Sequence, residues 1–193
     1  MQNFKFPVTN DCFKNLSELH CDSDIYPEFF YQLSQKSRNI QSLSIDFAKV
    51  TSSGLADLIS AQQNLKYLHM VQFYCKKDFS TDIINSITKL SNTLIELKLY
   101  GEELYIPLSF ITGLTNLQEM VLSFKYQDSF EDFKKLQYVT FSQLQVLKFQ
   151  YKSPRNELLV KFLENNGKNL REFYVGNSMD NSLNLAVARN LVC

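Results

Sequence analysis

The sequence has 193 residues, of which 45% are hydrophobic and 21% are charged, a composition typical of a globular domain that buries a core. Basic and acidic residues number 20 each, so the chain lacks the positive field of a nucleic-acid or anionic-membrane binder, and we expect neither partner. No apolar run approaches the roughly 18 residues of a membrane span. Because residues 1–11 also lack a signal-peptide pattern, we expect a cytoplasmic or nuclear location.

The cysteines and histidines do not form a pattern typical of metal binding or of a disulfide framework. The four cysteines show no C-x-x-C spacing, and the chain has only two histidines. We therefore expect reduced thiols, no metal site and no cofactor. The cysteines are Cys12, Cys21, Cys75 and Cys193.

A short apolar motif of the form L-x-x-L-x-L, with other apolar residues substituting, occurs seven times. Successive copies start 24, 25, 29, 23, 27 and 26 residues apart, mostly within the range of roughly 20 to 29 residues of leucine-rich repeats. In a short strand, alternate side chains face opposite sides, so the fourth and sixth motif residues are buried together while the third, fifth and seventh point outward. The copies begin at Leu16, Ile40, Leu65, Leu94, Leu117, Leu144 and Leu170.

Asparagine immediately precedes five of the seven motif copies, and Thr93 and Gln143 are the departures. Because asparagine tolerates a left-handed backbone and commonly ends helices, we expect it to mark the turn from helix into strand. An alternative is that it is an ordinary polar loop residue. The five are Asn15, Asn39, Asn64, Asn116 and Asn169.

Apolar residues at helical spacing predict helices between the strands. They lie in residues 52–63, 80–90 and 154–169, and the last segment has Pro154 suited to a first turn and Gly167 where the helix ends. Residues 104–115 contain a proline and a glycine and predict a short or irregular helix. A further helical pattern occupies residues 182–193.

Together these elements predict an α/β leucine-rich-repeat solenoid of about seven repeats. Its parallel strands line the concave face and its helices cover the convex face. No linker or low-complexity stretch divides the chain, so residues 1–193 are expected to form one domain. Neither end shows the polar capping repeat that solenoids normally require, so we expect native caps to be lacking.

The outward motif positions form three columns that would line the concave face. The third position is rich in glutamate, the fifth carries histidine and lysine, and tyrosines occur in all three columns. Rigid aromatic side chains often anchor protein interfaces, so the columns predict a polar groove for an unidentified protein or peptide. An alternative is that these are ordinary solvated strand residues whose opposite charges pair across neighbouring strands. The candidate binding residues are Glu18, His20, Tyr67, His69, Glu96, Lys98, Tyr100, Glu119, Lys148, Glu172 and Tyr174.

Catalysis and metal binding on this face are weaker hypotheses. His20 has Glu18, Asp22 and Ser44 at nearby outward positions, the residue types of a hydrolytic triad. Any open polar sheet offers such neighbours, and the chain lacks a nucleophile elbow, a glycine-rich phosphate loop and an HExxH motif, so we expect no enzyme. His20 and His69 share a column but lie two strand gaps apart, about 10 Å, which is too far for one metal ion.

Three segments carry a resemblance to a known family. NLQEMVLSF, QLQVLKFQYKSPRNELLVKFLENNGKNLREFYV and DNSLNLAVARN resemble the leucine-rich-repeat region of fungal F-box proteins, within the ribonuclease-inhibitor-like group of these repeats. The resemblance implies a substrate-recognition surface, while a separate F-box would dock the Skp-type adaptor of an SCF ubiquitin ligase. The fifteen residues before Leu16 do not match an F-box start, so we expect the F-box to be absent and the adaptor to be a partner only through an F-box outside this chain.

The resemblance leads to one preferred function and two alternatives. We expect a protein-recognition module, the substrate-binding part of an F-box-type receptor in ubiquitin-dependent protein degradation. One alternative is a leucine-rich-repeat scaffold unrelated to ubiquitination. The other is a gene fragment without a selected partner, for which the missing caps are the motivating feature.

Overall fold

The computed structural model describes residues 13–48, 51–72, 81–102 and 106–176. Within them, seven strands form one sheet whose strand order follows the chain, and every neighbouring pair is parallel. Strands alternate with helical segments, so the predicted α/β class with seven parallel strands is confirmed. The strands are β1 (Glu18–Asp22), β2 (Ser42–Asp46), β3 (Tyr67–Gln72), β4 (Glu96–Gly101), β5 (Glu119–Phe124), β6 (Val146–Tyr151) and β7 (Glu172–Val175).

Helical segments make the connections between the strands. The α-helices are α1 (Pro27–Lys36), α2 (Gly54–Ala61), α3 (Thr81–Thr88), α4 (Phe133–Leu136) and α5 (Asn156–Asn166). Short 3-10 helices span Leu108–Gly113, Gln127–Phe130 and Gly167–Asn169.

The predicted helices in residues 52–63, 80–90 and 154–169 are confirmed as α2, α3 and α5. In the described part of residues 104–115 the chain forms a 3-10 helix, because Pro107 is extended and delays the helix start to the next residue. Pro154 does not lie in the first turn of a helix as expected, because α5 begins after Arg155. The predicted helix in residues 182–193 lies outside the described residues.

The fourth and sixth motif residues of β2 to β6 are buried against the helical segments, and those of the edge strands β1 and β7 are mostly half-buried. Leu43 and Ile45 of β2 are fully buried, as are Leu147 and Phe149 of β6, and all belong to one continuous apolar core with residues of α1 to α5. The period of two in a strand therefore places one face of the sheet in this core and leaves the other face open.

Phenylalanines fill the core where the helical segments of a connection are short. Between β5 and β6 lie only a four-residue 3-10 helix and the four-residue α4. Phe130 and Phe133 from these turns pack edge-on against Phe149, with ring centroids 5.8 and 5.7 Å apart. Phe133 also contacts Phe162 of α5 at 5.3 Å. Large aromatic rings thus occupy the volume that a longer helix would fill.

Buried side-chain amides join two of the outer turns to the turns before them. Gln62 at the end of α2 donates to the carbonyl oxygens of Ser37 and Leu58 and accepts from the Ile40 amide, all at 2.9 to 3.0 Å. Asn166 of α5 makes the same kind of link, donating to Val139 at 2.9 Å. These side chains satisfy backbone groups that the sharp turns leave without partners.

The asparagines before the motif do not have the backbone we expected. Among the described residues other than glycine, only Tyr151 has a positive φ. The asparagine side chains instead reach the preceding turn: Asn64 donates to the Asn39 side-chain oxygen at 3.0 Å, and Asn169 donates to the Ser142 carbonyl at 3.0 Å. Their role is to hydrogen-bond successive turns, which local propensity alone did not indicate.

Candidate functional site

The strand register aligns the outward motif residues into three columns on the open face. Each outward residue of one strand is paired with the corresponding residue of the next strand from β1 to β7. The columns contain all eleven candidate binding residues. The third-position column is Glu18, Ser42, Tyr67, Glu96, Glu119, Val146 and Glu172; the fifth is His20, Ser44, His69, Lys98, Val121, Lys148 and Tyr174; the seventh runs Asp22, Asp46, Val71, Tyr100, Ser123 and Gln150.

A continuous polar network crosses four strands at the centre of the open face. His69 Nε2 lies 2.5 Å from Glu96 Oε1, and Ser44 Oγ lies 3.5 Å from His69 Nδ1. Lys98 Nζ contacts two carboxylates, Glu96 Oε2 at 2.9 Å and Glu119 Oε1 at 3.2 Å. The side chains of Lys98 and Glu96 are only 22% and 14% exposed. The network therefore connects β2 to β5 and fixes these side chains.

The network moves the pKa values of its two central charged groups away from each other. Burial raises the pKa of Glu96, but hydrogen bonds from His69 and Lys98 together lower it by more, so that it lies below 4.5. Burial lowers the pKa of Lys98, but hydrogen bonds to Glu96 and Glu119 raise it above 10.5. Both groups are therefore charged at neutral pH and attract each other.

A charge pair and a hydrogen-bonded pair lie on either side of the network. Lys148 Nζ contacts Glu172 Oε1 at 2.8 Å, and this hydrogen bond raises the pKa of Lys148. His20 Nε2 lies 3.1 Å from Asp46 Oδ2 at the other end of the sheet. Every open-face lysine thus contacts a glutamate, which is the cross-strand pairing that the alternative interpretation of these residues expects.

The three open-face tyrosines do not form one cluster. Tyr67 and Tyr174 are 37% and 52% exposed, whereas Tyr100 is half-buried and burial raises its pKa. Tyr67 and Tyr100 are on adjacent strands, but three strand gaps separate β4 from β7, or about 14 Å at normal sheet spacing. Tyr174 is therefore a separate contact point from the other two.

Two outward residues at the centre of the face are buried, contrary to our expectation for their positions. Val121 is 2% exposed and is flanked in its column by Lys98 and Lys148. Ser123 is 3% exposed and is flanked by Tyr100 and Gln150. In each case a short side chain lies between longer side chains in the same column, which cover it. The sequence contains this pattern, but it can be recognised only when the strand register is known.

The structure changes the arrangement proposed around His20. Its ring contacts Asp46, whereas Ser44 lies against His69, which in turn contacts Glu96. This serine, histidine and carboxylate order resembles a hydrolytic triad, but the 3.5 Å Ser44 to His69 distance is longer than the 2.6 to 3.2 Å typical of a nucleophile and its base. The peptide N–H groups near Ser44 donate hydrogen bonds to the neighbouring strands in the regular pairing of the sheet. They are therefore not free to form an oxyanion hole on the open face.

Metal and thiol chemistry have little support in the described part of the chain. No group of three or more His, Cys, Asp or Glu among these residues is arranged to hold a metal ion. Burial, followed by the charges of Asp22 and Asp46, raises the pKa of the Cys21 thiol to about 12, so it stays protonated and poorly nucleophilic. Cys12, Cys75 and Cys193 lie outside the described residues.

Within the described ranges, no helix has the length and apolar character needed to cross a lipid bilayer. The sequence matches no protein-family model and no curated protein. Function is therefore inferred from the open face and from the resemblance carried by the sequence motifs.

Proposed function

We propose that the chain is a leucine-rich-repeat solenoid that binds a protein or peptide on its open face. The observation that carries this proposal is the register: seven motif copies align their outward residues into columns running across the whole sheet. Stacked units of this kind form extended concave binding surfaces. Fixed polar groups at the centre and exposed tyrosines around them supply specificity and contact area.

We further propose that this surface selects substrates for an F-box-type SCF ubiquitin ligase in the cytoplasm or nucleus. The support is the resemblance of the motif segments to fungal F-box proteins, together with a binding face that carries no complete catalytic arrangement among the described residues. In this function the chain holds the substrate, and an F-box elsewhere would contact a Skp-type adaptor. The alternative is a scaffold that binds through the same face without any ubiquitin ligase.

The binding surface is tested by replacing Tyr67, Tyr100 and Tyr174 with alanine in one variant. Partners are first identified by proximity labelling of the full gene product in its native cells, and their affinity for the purified proteins is then measured. We expect the variant to bind at least tenfold more weakly. The matched control replaces the exposed tyrosines Tyr26, Tyr31 and Tyr138, which lie outside the sheet, and should bind normally. Normal binding by the open-face variant and weak binding by the control variant would contradict the proposal.

The ligase assignment is tested separately by mass spectrometry of the full gene product purified from those cells. Recovery of a Skp-type adaptor, together with ubiquitination of a partner that depends on the open-face tyrosines, is the expected result. If an open-face partner were recovered without any adaptor, the scaffold function would replace the ligase function.

A further inference from the structure

The open face carries a strong excess of negative charge although the whole chain is formally neutral. The three columns contain six carboxylates and only two ammonium groups, a formal charge of −4 with both histidines neutral. The rest of the chain therefore carries +4. An uneven distribution of this kind creates a local potential that attracts a partner of opposite charge. The carboxylates are Glu18, Asp22, Asp46, Glu96, Glu119 and Glu172.

The pairing of these carboxylates is also uneven. Glu96, Glu119 and Glu172 at the centre and far side contact Lys98 or Lys148. At the β1–β2 end, Glu18, Asp22 and Asp46 contact no lysine or arginine among the described residues, and the neighbour of Asp46 is His20. Within the described part of the chain, the open-face carboxylates without a lysine or arginine neighbour are therefore concentrated over β1 and β2.

Neighbouring strands offer a second and independent set of contacts. Tyr67 on β3 is exposed, and Tyr100 on β4 is half-buried. On β5, the outward position next to Tyr100 is Ser123, a short polar residue that is 3% exposed. From β1 to β5 the surface spans about 19 Å, the length of about six extended residues.

Resting on the proposed function, we infer that the partner is a lysine- or arginine-bearing segment of another protein, lying across β1 to β5. Its cationic side chains contact Glu18, Asp22 and Asp46. Its backbone or a neighbouring polar group reaches Ser123, and its apolar parts pack on Tyr67 and Tyr100. The network at the centre, whose carboxylates are paired with Lys98, gives the segment a fixed surface, and the acidic end selects for charge.

The experiment selects peptides from a random 12-residue display library on the immobilised full chain. Affinities of the selected peptides are then measured for the wild type and for a variant carrying Glu18→Gln, Asp22→Asn and Asp46→Asn. We expect enrichment of lysine and arginine, affinity that falls with added salt, and at least tenfold weaker binding to the variant. A control variant with Asp57→Asn, Glu131→Gln and Glu164→Gln has the same net charge and replaces exposed carboxylates outside the sheet. It should bind within twofold of the wild type.

Each other outcome overturns the inference in a distinguishable way. Selected peptides without lysine or arginine that still lose binding when Tyr67 and Tyr100 become alanine would leave the proposed function standing and remove the basic partner. Basic peptides that bind the acidic-end variant and the control variant equally would also exclude a basic partner at the acidic end. Peptides insensitive to every open-face change, or no enrichment at all, would overturn the proposed function as well. Self-association in sedimentation that the acidic-end variant abolishes would identify a second copy as the occupant.

Discussion

Glu96 is the residue on which the central network depends, because it contacts both His69 and Lys98. Glutamine has nearly the same shape as glutamate but lacks the negative charge that His69 and Lys98 contact. We expect Glu96→Gln to lower the free energy of unfolding by about 1 to 2 kcal/mol, as for a lost charge-assisted hydrogen bond in a partly exposed site. Urea unfolding of the variant beside Glu18→Gln measures this. Glu18 is exposed, so its change should stay within about 0.5 kcal/mol; equal effects would contradict the network's role.

The stability difference between wild type and Glu96→Gln should depend on pH in a defined direction. The hydrogen bonds from His69 and Lys98 hold the folded pKa of Glu96 below the usual glutamate value, so the stability that its ionisation contributes is fully present above the unfolded pKa and is lost as pH falls through the folded pKa. Urea unfolding at a series of pH values should show a stability gap that narrows as the pH falls through the range in which carboxylates take up protons. A gap that widens in acid would mean that Glu96 is not stabilised as the charged form.

At the scale of elements, Gly54 sets how closely α1 and α2 pack. A Cβ atom there would lie 2.4 Å from the Pro27 carbonyl oxygen and 3.1 Å from Phe30 Cβ. We expect Gly54→Ala to lower the free energy of unfolding by about 1 to 3 kcal/mol, because the helices must separate. Gly113→Ala is the matched control, since nothing lies within 4 Å of its added Cβ, and it should be neutral or stabilising in the same unfolding assay. Equal stability of both variants would contradict the close approach.

The strands were predictable from the sequence to a greater extent than their connections. The motif has the period of a half-buried strand, so residues such as Leu97 and Leu99 indicated their own burial. The segment between β5 and β6 has no long apolar period, and its two short turns depend on contacts between phenylalanines far apart in the chain. The hydrogen-bond partners in the network could not be predicted from the sequence either. The columns show which residues are neighbours, but whether Ser44 contacts His20 or His69 depends on side-chain rotamers.

At the scale of the whole molecule, one continuous core predicts one cooperative unfolding transition. Leu97 in the central strand is fully buried, so Leu97→Ala should lower the free energy of unfolding by about 2 to 5 kcal/mol. Because the chain has 10 tyrosines and no tryptophan, near-ultraviolet circular dichroism reports tertiary packing through tyrosine, and far-ultraviolet signal reports the backbone. The unfolding midpoints measured by the near- and far-ultraviolet signals should decrease by the same amount in the variant. Separate transitions would show that the two ends of the sheet unfold independently.

The central claim is that the open face of the sheet is the surface that binds. Photo-crosslinking tests it most directly, with benzoylphenylalanine placed at Tyr67 or Tyr174 on the open face and, as controls, at Tyr31 or Tyr138 outside the sheet, all of which are exposed. Each protein is irradiated with the library-selected peptides, and crosslinks are located by mass spectrometry. We predict crosslinks from the open-face positions and none from the control positions. Crosslinks from the control positions alone would contradict the claim.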